Sequence, residues 1–362
     1  MKHLKFLALL ALAMSAVFTS CDNDDDVWNT TGGGKVEMES PCRAFILNEG
    51  SWKKNNSNII YFDWASGKVN PSCVFTQQNG HYLGDTGNDI ITVDGNRMVV
   101  AVNVSNYVTL LDGYGVEKSR VSFESYKNLG QVRSVVEDDG IVYATSYGGY
   151  VSRLRIQGDQ LVYMDSLRVG DRPEDIAEED GKLYVTLQGT NLDDNRLAIV
   201  NSDFRTIRYV TIMKDPVKVY EEDDKIFITG FGAMYDNPWG VYDPAKGTYT
   251  ELGHASVIGV GDDVIYTAYS VTDWSTYVTT TTMGSYNVKT GQTNANFFKN
   301  APAEIATATV YSISVNPYDG RIYVATSDYS TDGKVYVFSA QGNYEREFSS
   351  CGLNPHKIVF LK

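Results

Sequence analysis

SVVEDDGIVYATS (134–146) and DIAEEDGKLYVTL (175–187) are two copies of one unit. Each has a short apolar stretch, an acidic or glycine turn, and then a strongly β-type stretch. Further copies are KVYEEDDKIFITG (218–230), VIGVGDDVIYTAY (257–269), ISVNPYDGRIYVATS (313–327) and, more weakly, IITVDGNRMVVAV (90–102). The turn landmarks Gly95, Gly140, Gly181, Asp224, Asp263 and Gly320 are spaced 45, 41, 43, 39 and 57 residues apart. Asp-Gly between alternating β-branched and aromatic residues reads as a two-residue hairpin, because these residues tolerate positive φ. Two more strand-like runs follow each hairpin, as in GYVSRLRI (149–156) with LVYMDSLRV (161–169), and NRLAIVN (195–201) with RTIRYVTI (205–212). Four short antiparallel strands in about 40–45 residues is the period of a propeller blade.

The chain ends complete the count. The first unit offers strands at AFILNEG (44–50), NIIYFD (58–63) and SCVFT (72–76), with no inner strand ahead of them. The C-terminal NPHKIVFLK (354–362) aligns with the inner-strand starts RPEDIA (172–177) and DPVKVY (215–220). The expectation is an all-β, seven-bladed propeller over residues 41–362, closed by the last strand joining the first blade. Closure removes an exposed sheet edge. No helix-period segment of useful length is present, which argues against an α/β fold.

Composition agrees with a folded chain. Of 362 residues, 43% are apolar and 21% charged, which excludes a disordered or collagen-like chain. Tyrosine stands out at 25 residues, against 9 prolines. The formal charge of −14 argues against a nucleic-acid partner, which needs a basic face.

Residues 1–20, MKHLKFLALLALAMSAVFTS, read as an export signal, with Lys2 and Lys5 before an apolar stretch too short to span a bilayer. Phe18-Thr19-Ser20-Cys21 resembles a bacterial lipobox, although Phe18 replaces the usual leucine. The resemblance implies cleavage before Cys21 and diacylglycerol on its sulfur, as part of a palmitate/diacylglycerol anchor. An ordinary secretory signal with a chance cysteine is the alternative. Cleavage would take the formal charge from −14 to −16 through loss of Lys2 and Lys5. Asp22-Asn23-Asp24-Asp25-Asp26 resembles the surface-export signal of lipoproteins in gut Gram-negative anaerobes, or simply begins a solvated tether. Residues 21–40 are read as that flexible tether. Cys42, Cys73 and Cys351 remain, an odd number that leaves at least one thiol unpaired within the chain.

In a four-stranded blade the turn after the inner strand opens on one face, and the next loop and the inter-blade loop open on the other. Here the first kind is short and acidic, and the second is long and varied, as in NEGSWKKNNS (48–57), QGTNLDDN (188–195), GFGAMYDNP (230–238), SVTDWSTYVTT (270–280) and SDYSTDG (327–333). Long loops on a rigid scaffold are where binding usually sits. Trp52, Tyr82, Tyr107, Tyr147, Tyr235, Trp239, Trp274, Tyr277 and Tyr329 fall in or beside these loops. Tyrosine and tryptophan give rigid contact area with a polar tip. Asn48, Asn88, Asn103, Gln188, Asn191 and Asp328 add polar groups near the axis. Blade packing is the competing role for every one of these aromatics. His81, His254 and His356 are expected toward the same face, as rim residues or, less simply, as ligands to a metal or cobalt. Glu49, Asp89 and Glu174 lie near expected strand tops and could form an acid–base pair or a cation site. The sequence carries no G-x-S-x-G, H-E-x-x-H or Walker loop, so a binding protein is expected rather than an enzyme.

AFILNEGSWKKNNSNIIYFD (44–63), with the repeats and the acidic lipoprotein leader, resembles the BtuG family of surface lipoproteins, whose repeats are YncE-like. Leu47-Asn48-Glu49-Gly50, Trp52, Asn55, Asn56 and Ile60-Tyr61-Phe62-Asp63 are the most specific part, shared with a wider group of surface propellers. The resemblance implies capture of cobalamin and related corrinoids at the outer-membrane surface, with cobalamin as ligand and no resident cofactor or metal. It implies handover to a TonB-dependent transporter of the BtuB kind. The alternatives are a propeller binding glycan or protein, and a propeller enzyme of lactonase or quinoprotein type.

Overall fold

The computed structural model describes residues 36–362. The export signal, Cys21 and most of the tether lie outside the described residues. The chain forms seven four-stranded antiparallel sheets arranged as blades of a ring. Their inner strands, in ring order, are Pro355–Leu361, Gly87–Val93, Val132–Asp138, Pro173–Glu179, Pro216–Glu222, Val257–Gly261 and Thr309–Val315.

Six of the seven inner strands turn directly into the next strand of their blade, at the turns expected from the repeat; the seventh, Pro355–Leu361, pairs instead with Arg43–Asn48. At Asp94-Gly95, Asp139-Gly140, Asp180-Gly181 and Asp223-Asp224 both central residues have positive φ, between 41° and 78°. That is the twist of a type I′ turn, which matches the right-handed twist of the strands it joins.

The ring closes as the sequence indicates. Inner strand Pro355–Leu361 pairs antiparallel with Arg43–Asn48, with Leu47 opposite Lys357, Ile46 opposite Ile358 and Phe45 opposite Val359. Trp64 Nε1 donates to the Leu361 carbonyl at 3.0 Å and fixes the end of the closing strand.

Every blade is covered on both faces by its neighbours, which explains continuous apolar runs such as RMVVAV (97–102) and IYVATS (322–327). Alternate side chains serve opposite junctions. Met98, Val100 and Val102 pack toward the first blade, while Val99 and Ala101 pack toward the third. Seven apolar clusters result, one per junction, with Phe62, Tyr323 and Phe360 in the junction that closes the ring.

Two boundaries differ from expectation. The stretch SCVFT (72–76) does not stay extended: the strand Val69–Cys73 gives way to a short helix, Val74–Asn79. Its residues are β-formers, but tertiary bonds outweigh that preference. Gln78 Nε2 donates to the Tyr114 carbonyl at 2.8 Å and Asn79 Nδ2 to the Gly115 carbonyl at 2.9 Å. Gly80, at φ 72°, ends the turn with its N–H on the Thr76 carbonyl. The folded body also reaches back to Val36. The alternation Val36-Glu37-Met38-Glu39 buries Val36 and Met38 between the first two blades and leaves the glutamates outside.

Candidate functional site

A cavity of about 1020 Å³ runs along the axis and opens on the long-loop face. Its wall is the row of inner strands, including Val135, Val219, Ile313 and Ile358. Its rim comes from blades five to seven: Phe231, Tyr235, Tyr269, Trp274 and Tyr329. Tyr235, Trp274 and Tyr329 are 75%, 77% and 60% exposed, so the rim presents aromatic surface to solvent. This is at the upper end of ordinary ligand cavities, which span roughly 300–1,000 Å³.

Charged side chains line the axis, and most hold one another. Asp89 Oδ1 receives Lys357 Nζ at 2.8 Å and Ile90 N at 2.8 Å, while Oδ2 receives Ser134 Oγ at 2.7 Å and Val135 N at 3.0 Å. Burial works to raise its pKa, but the charges of Lys357 and Lys218 and these bonds prevail and hold it at about 2. Glu174 receives Arg133 Nε at 3.0 Å and the Tyr147 hydroxyl at 2.8 Å. Burial opposes ionisation of Glu174 too, and the Arg133 guanidinium overcomes it, leaving the carboxyl below its ordinary value. The Tyr147 phenol is pushed up to about 12, first by burial and then by Glu174. Glu49 accepts from the Tyr311 hydroxyl and lies 3.7 Å from His356 Nδ1. Lys218 Nζ touches His356 Nε2 at 3.4 Å. Burial disfavours the Lys218 ammonium, but Asp175 and Asp89 outweigh it and keep it protonated.

Of the residues singled out from the sequence, Tyr235, Trp274 and Tyr329 line this cavity together. Tyr147 lies beside it, its ring faced by the guanidinium groups of Arg133 at 4.9 Å and Arg172 at 4.2 Å. Trp52, Tyr82, Asn191 and Tyr277 are exposed outside the cavity lining, with Lys53 Nζ 4.0 Å over the Trp52 ring.

The others do structural work. Trp239 is buried in the third strand of blade five, between Phe227 and Tyr286. Tyr107 is buried in the third strand of blade two and donates to the Leu83 carbonyl. Both stand next to loops in sequence, but strand alternation turns them into a blade junction.

The amides are clamps between chain segments at the strand tops. Asn48 Nδ2 donates to Asn58 Oδ1 at 2.7 Å and the Ser350 carbonyl at 2.9 Å. Asn88 Nδ2 donates to the Arg133 carbonyl and Asn103 Nδ2 to the Val132 carbonyl, both at 2.7 Å. Gln188 Nε2 donates to Asp215 Oδ1 at 3.1 Å. Strand tops expose backbone carbonyls of the next blade, and buried carbonyls need donors. Asp328 is exposed and accepts from Ser330 N at 2.8 Å and Thr331 N at 2.7 Å, which shapes its own loop.

The histidines do not converge. His81 pairs with Glu117 Oε2 at 3.2 Å, His254 Nδ1 lies 2.9 Å from the Asp236 carbonyl oxygen, and His356 alone of the three lines the cavity. Glu222, Asp262 and Asp263 form a compact carboxylate group elsewhere, where Lys289 already pairs with Asp263. Cys42, Cys73 and Cys351 are free thiols.

The axial residues Arg133, Lys218, Tyr220, Tyr311, His356 and Lys357 were not singled out for binding, except His356 as a histidine. Their signal was available: each is a cationic, imidazole or phenol side chain set beside valine or isoleucine in an inner strand, or at its start.

No protein-family model matches the chain, and no curated protein matches it in sequence. Solved structures do align. A propeller from Bacteroides uniformis, provisionally named a 6-phosphogluconolactonase, superposes with a TM-score of 0.60 at 11% identity, covering 88% of this chain and 99% of that one. A second propeller of the same provisional name, from Bacteroides fragilis, gives 0.60 at 10% identity over 90% of this chain and 100% of that one. The WD40 domain of Neurospora crassa Pan2 gives 0.51 at 10% identity, over 72% and 80%. At such identities the likeness establishes the fold.

Proposed function

We propose that the protein captures a cobalamin-type corrinoid in the axial cavity at the cell surface and passes it to a TonB-dependent outer-membrane transporter. The observation that carries the reading is the cavity of about 1020 Å³ with its exposed aromatic rim of Tyr235, Trp274 and Tyr329. A corrinoid is large, flat on its faces and fringed with amides. It needs a broad mouth with apolar and aromatic walls and scattered polar groups. A mouth built on a rigid ring spares ordering entropy on binding. Lipidation at Cys21 would hold the site at the membrane and raise its local concentration over the transporter.

A spectral titration of the delipidated protein with cyanocobalamin tests the reading, and no binding at micromolar ligand overturns it. Radiolabelled palmitate should enter the wild-type protein in a Gram-negative host and be lost in Cys21→Ala.

A lactonase reading has one observation in its favour besides the names of two fold neighbours. His356 lines the cavity with Nδ1 3.7 Å from Glu49, a base beside its orienting carboxylate. Against it, Glu174 and Asp89 are already engaged by Arg133 and Lys357. Sugar-lactone hydrolysis above background that disappears in His356→Ala would establish it.

A further inference from the structure

The polar groups around the cavity divide into engaged acceptors and unengaged donors. The carboxylates are engaged: Asp89 by four donors, Glu174 by Arg133 and Tyr147, Glu49 by Tyr311, Asp175 Oδ2 by Val219 N at 3.0 Å, and, at the turn end of the cavity, Glu178 by Gly181 N at 2.7 Å and Glu221 by Asp224 N at 3.2 Å. Among the donors, Lys218 Nζ has one partner among the described residues, His356 Nε2 at 3.4 Å. An ammonium has three N–H bonds to give. Tyr220 is two residues along the same inner strand and also lines the cavity. Its hydroxyl makes no hydrogen bond among the described residues. Residues two apart on a strand lie on the same face, so Lys218 and Tyr220 stand side by side on the cavity wall. Apolar Val135, Val219, Ile313 and Ile358 line the same cavity, so a hydrogen bond made there is strengthened by low local polarity.

Charge decides what can fill the position. The carboxylates Asp89, Asp175, Glu49 and Glu174, with Glu178 and Glu221 also on the cavity wall, outnumber the cations Lys218, Lys357 and Arg133, so the axis carries an excess of acidic groups. An anion would add to that excess. A cation would meet the Lys218 ammonium. A neutral acceptor meets neither penalty and satisfies both donors.

Resting on the reading of this cavity as the ligand site, we infer that its floor takes an uncharged carbonyl oxygen of the ligand, an amide or ester, between Lys218 Nζ and the Tyr220 hydroxyl. The site then favours ligands that carry neutral amides over their carboxylate counterparts. Lys357 Nζ is tied to the Asp89 carboxylate at 2.8 Å and Arg133 Nε to the Glu174 carboxylate at 3.0 Å, whereas Lys218 Nζ has no carboxylate within hydrogen-bond distance among the described residues, so Lys218 is the cation left for a ligand.

The test has two arms. In the first, calorimetric titration with cyanocobalamin should show affinity reduced about 10- to 100-fold in Lys218→Met and about 3- to 10-fold in Tyr220→Phe, the losses expected for charged and neutral hydrogen bonds. Tyr220→Phe removes only the hydroxyl, so it stands if Lys218→Met does not fold. Affinity should stay level between about 50 and 500 mM salt, because a neutral acceptor is not screened. Tyr220→Phe within twofold of wild type, or a steep fall with salt, overturns the inference.

The second arm needs no corrinoid. In protein labelled with nitrogen-15 lysine, the Lys218 ammonium resonance should move saturably with acetamide and not with acetate. The reverse, or no response to acetamide, overturns the inference. If wild-type protein binds no cyanocobalamin, the functional reading falls and this second arm alone decides the floor.

Discussion

Phe360→Ala tests the closure of the ring. Phe360 lies in the closing strand opposite Ala44, 5% exposed, with its ring centroid 5.1 Å from Tyr323 and 6.4 Å from Phe62. Those partners belong to the last and first blades, so this ring ties the tail of the chain to both. A buried phenylalanine covers about 150–250 Å², which at about 25 cal/mol/Å² is about 4–6 kcal/mol. The retained Cβ and partial collapse of the cavity bring the expected loss to about 3–5 kcal/mol. Urea unfolding followed by tryptophan fluorescence gives the loss, with Val162→Ala on the exposed outer strand of blade three as a control expected within about 0.5 kcal/mol. Hydrogen exchange gives its location. Amides of Arg43–Asn48 should lose far more protection than those of Lys182–Leu187 in blade four. A loss below about 1 kcal/mol, or exchange that rises equally in all blades, would refute the closing strand as the latch of the ring.

Trp274→Ala should weaken cyanocobalamin binding about 10- to 100-fold, as an exposed aromatic anchor does, and leave the melting temperature nearly unchanged; titration and thermal melts on one sample separate the two effects. Trp239→Ala should do the opposite, costing about 3–5 kcal/mol of stability with little change in affinity for whatever fraction stays folded. Asn103→Ala leaves the Val132 carbonyl without its side-chain donor, so urea unfolding should register a loss of about 1–3 kcal/mol, and a neutral result would dismiss the clamp. On the acidic-turn face, burial first and then Glu221 and Asp224 push the Glu179 carboxyl from 4.5 to about 7. The folded state therefore keeps a proton that the unfolded chain has already released, so this group's contribution is full below about pH 4.5 and is lost as pH rises through 7. Glu178, Glu221 and Glu222 are raised as well and add to the same slope. Melting temperature should drop from about pH 5 to pH 8, and Glu179→Gln should flatten the drop; an unaltered slope would count against the assignment.

Local residue patterns are enough to specify the ring. A hairpin signal repeated with short-range turn chemistry, two further strands per unit, and a tail that looks like a missing inner strand leave little freedom of topology. Asp139-Gly140 adopts a type I′ turn because of what those two residues are, and its neighbours change nothing. The same holds for the apolar runs, since a blade covered on both faces needs apolar residues at successive positions.

The site was legible only in part. Tyr235, Trp274 and Tyr329 are expected on the long-loop face and stand exposed at the cavity rim, because exposure at the tip of a loop is a local property. Trp239, Tyr107 and the amides Asn48, Asn88, Asn103 and Gln188 look the same in sequence, yet they serve the joints between blades. Whether a strand-end side chain faces the mouth or a neighbouring blade depends on strand alternation and on carbonyls that arrive from another part of the ring. Asn103 and Val132 are 29 residues apart, and Asp89 and Lys357 are 268 apart. The helix at Val74–Asn79 has the same origin, being fixed by bonds to Tyr114 and Gly115 in the next blade. Local chemistry sets turns, periods and burial patterns. The charges that meet at the axis, and the donors left open among them, are decided only when seven inner strands come together around one cavity.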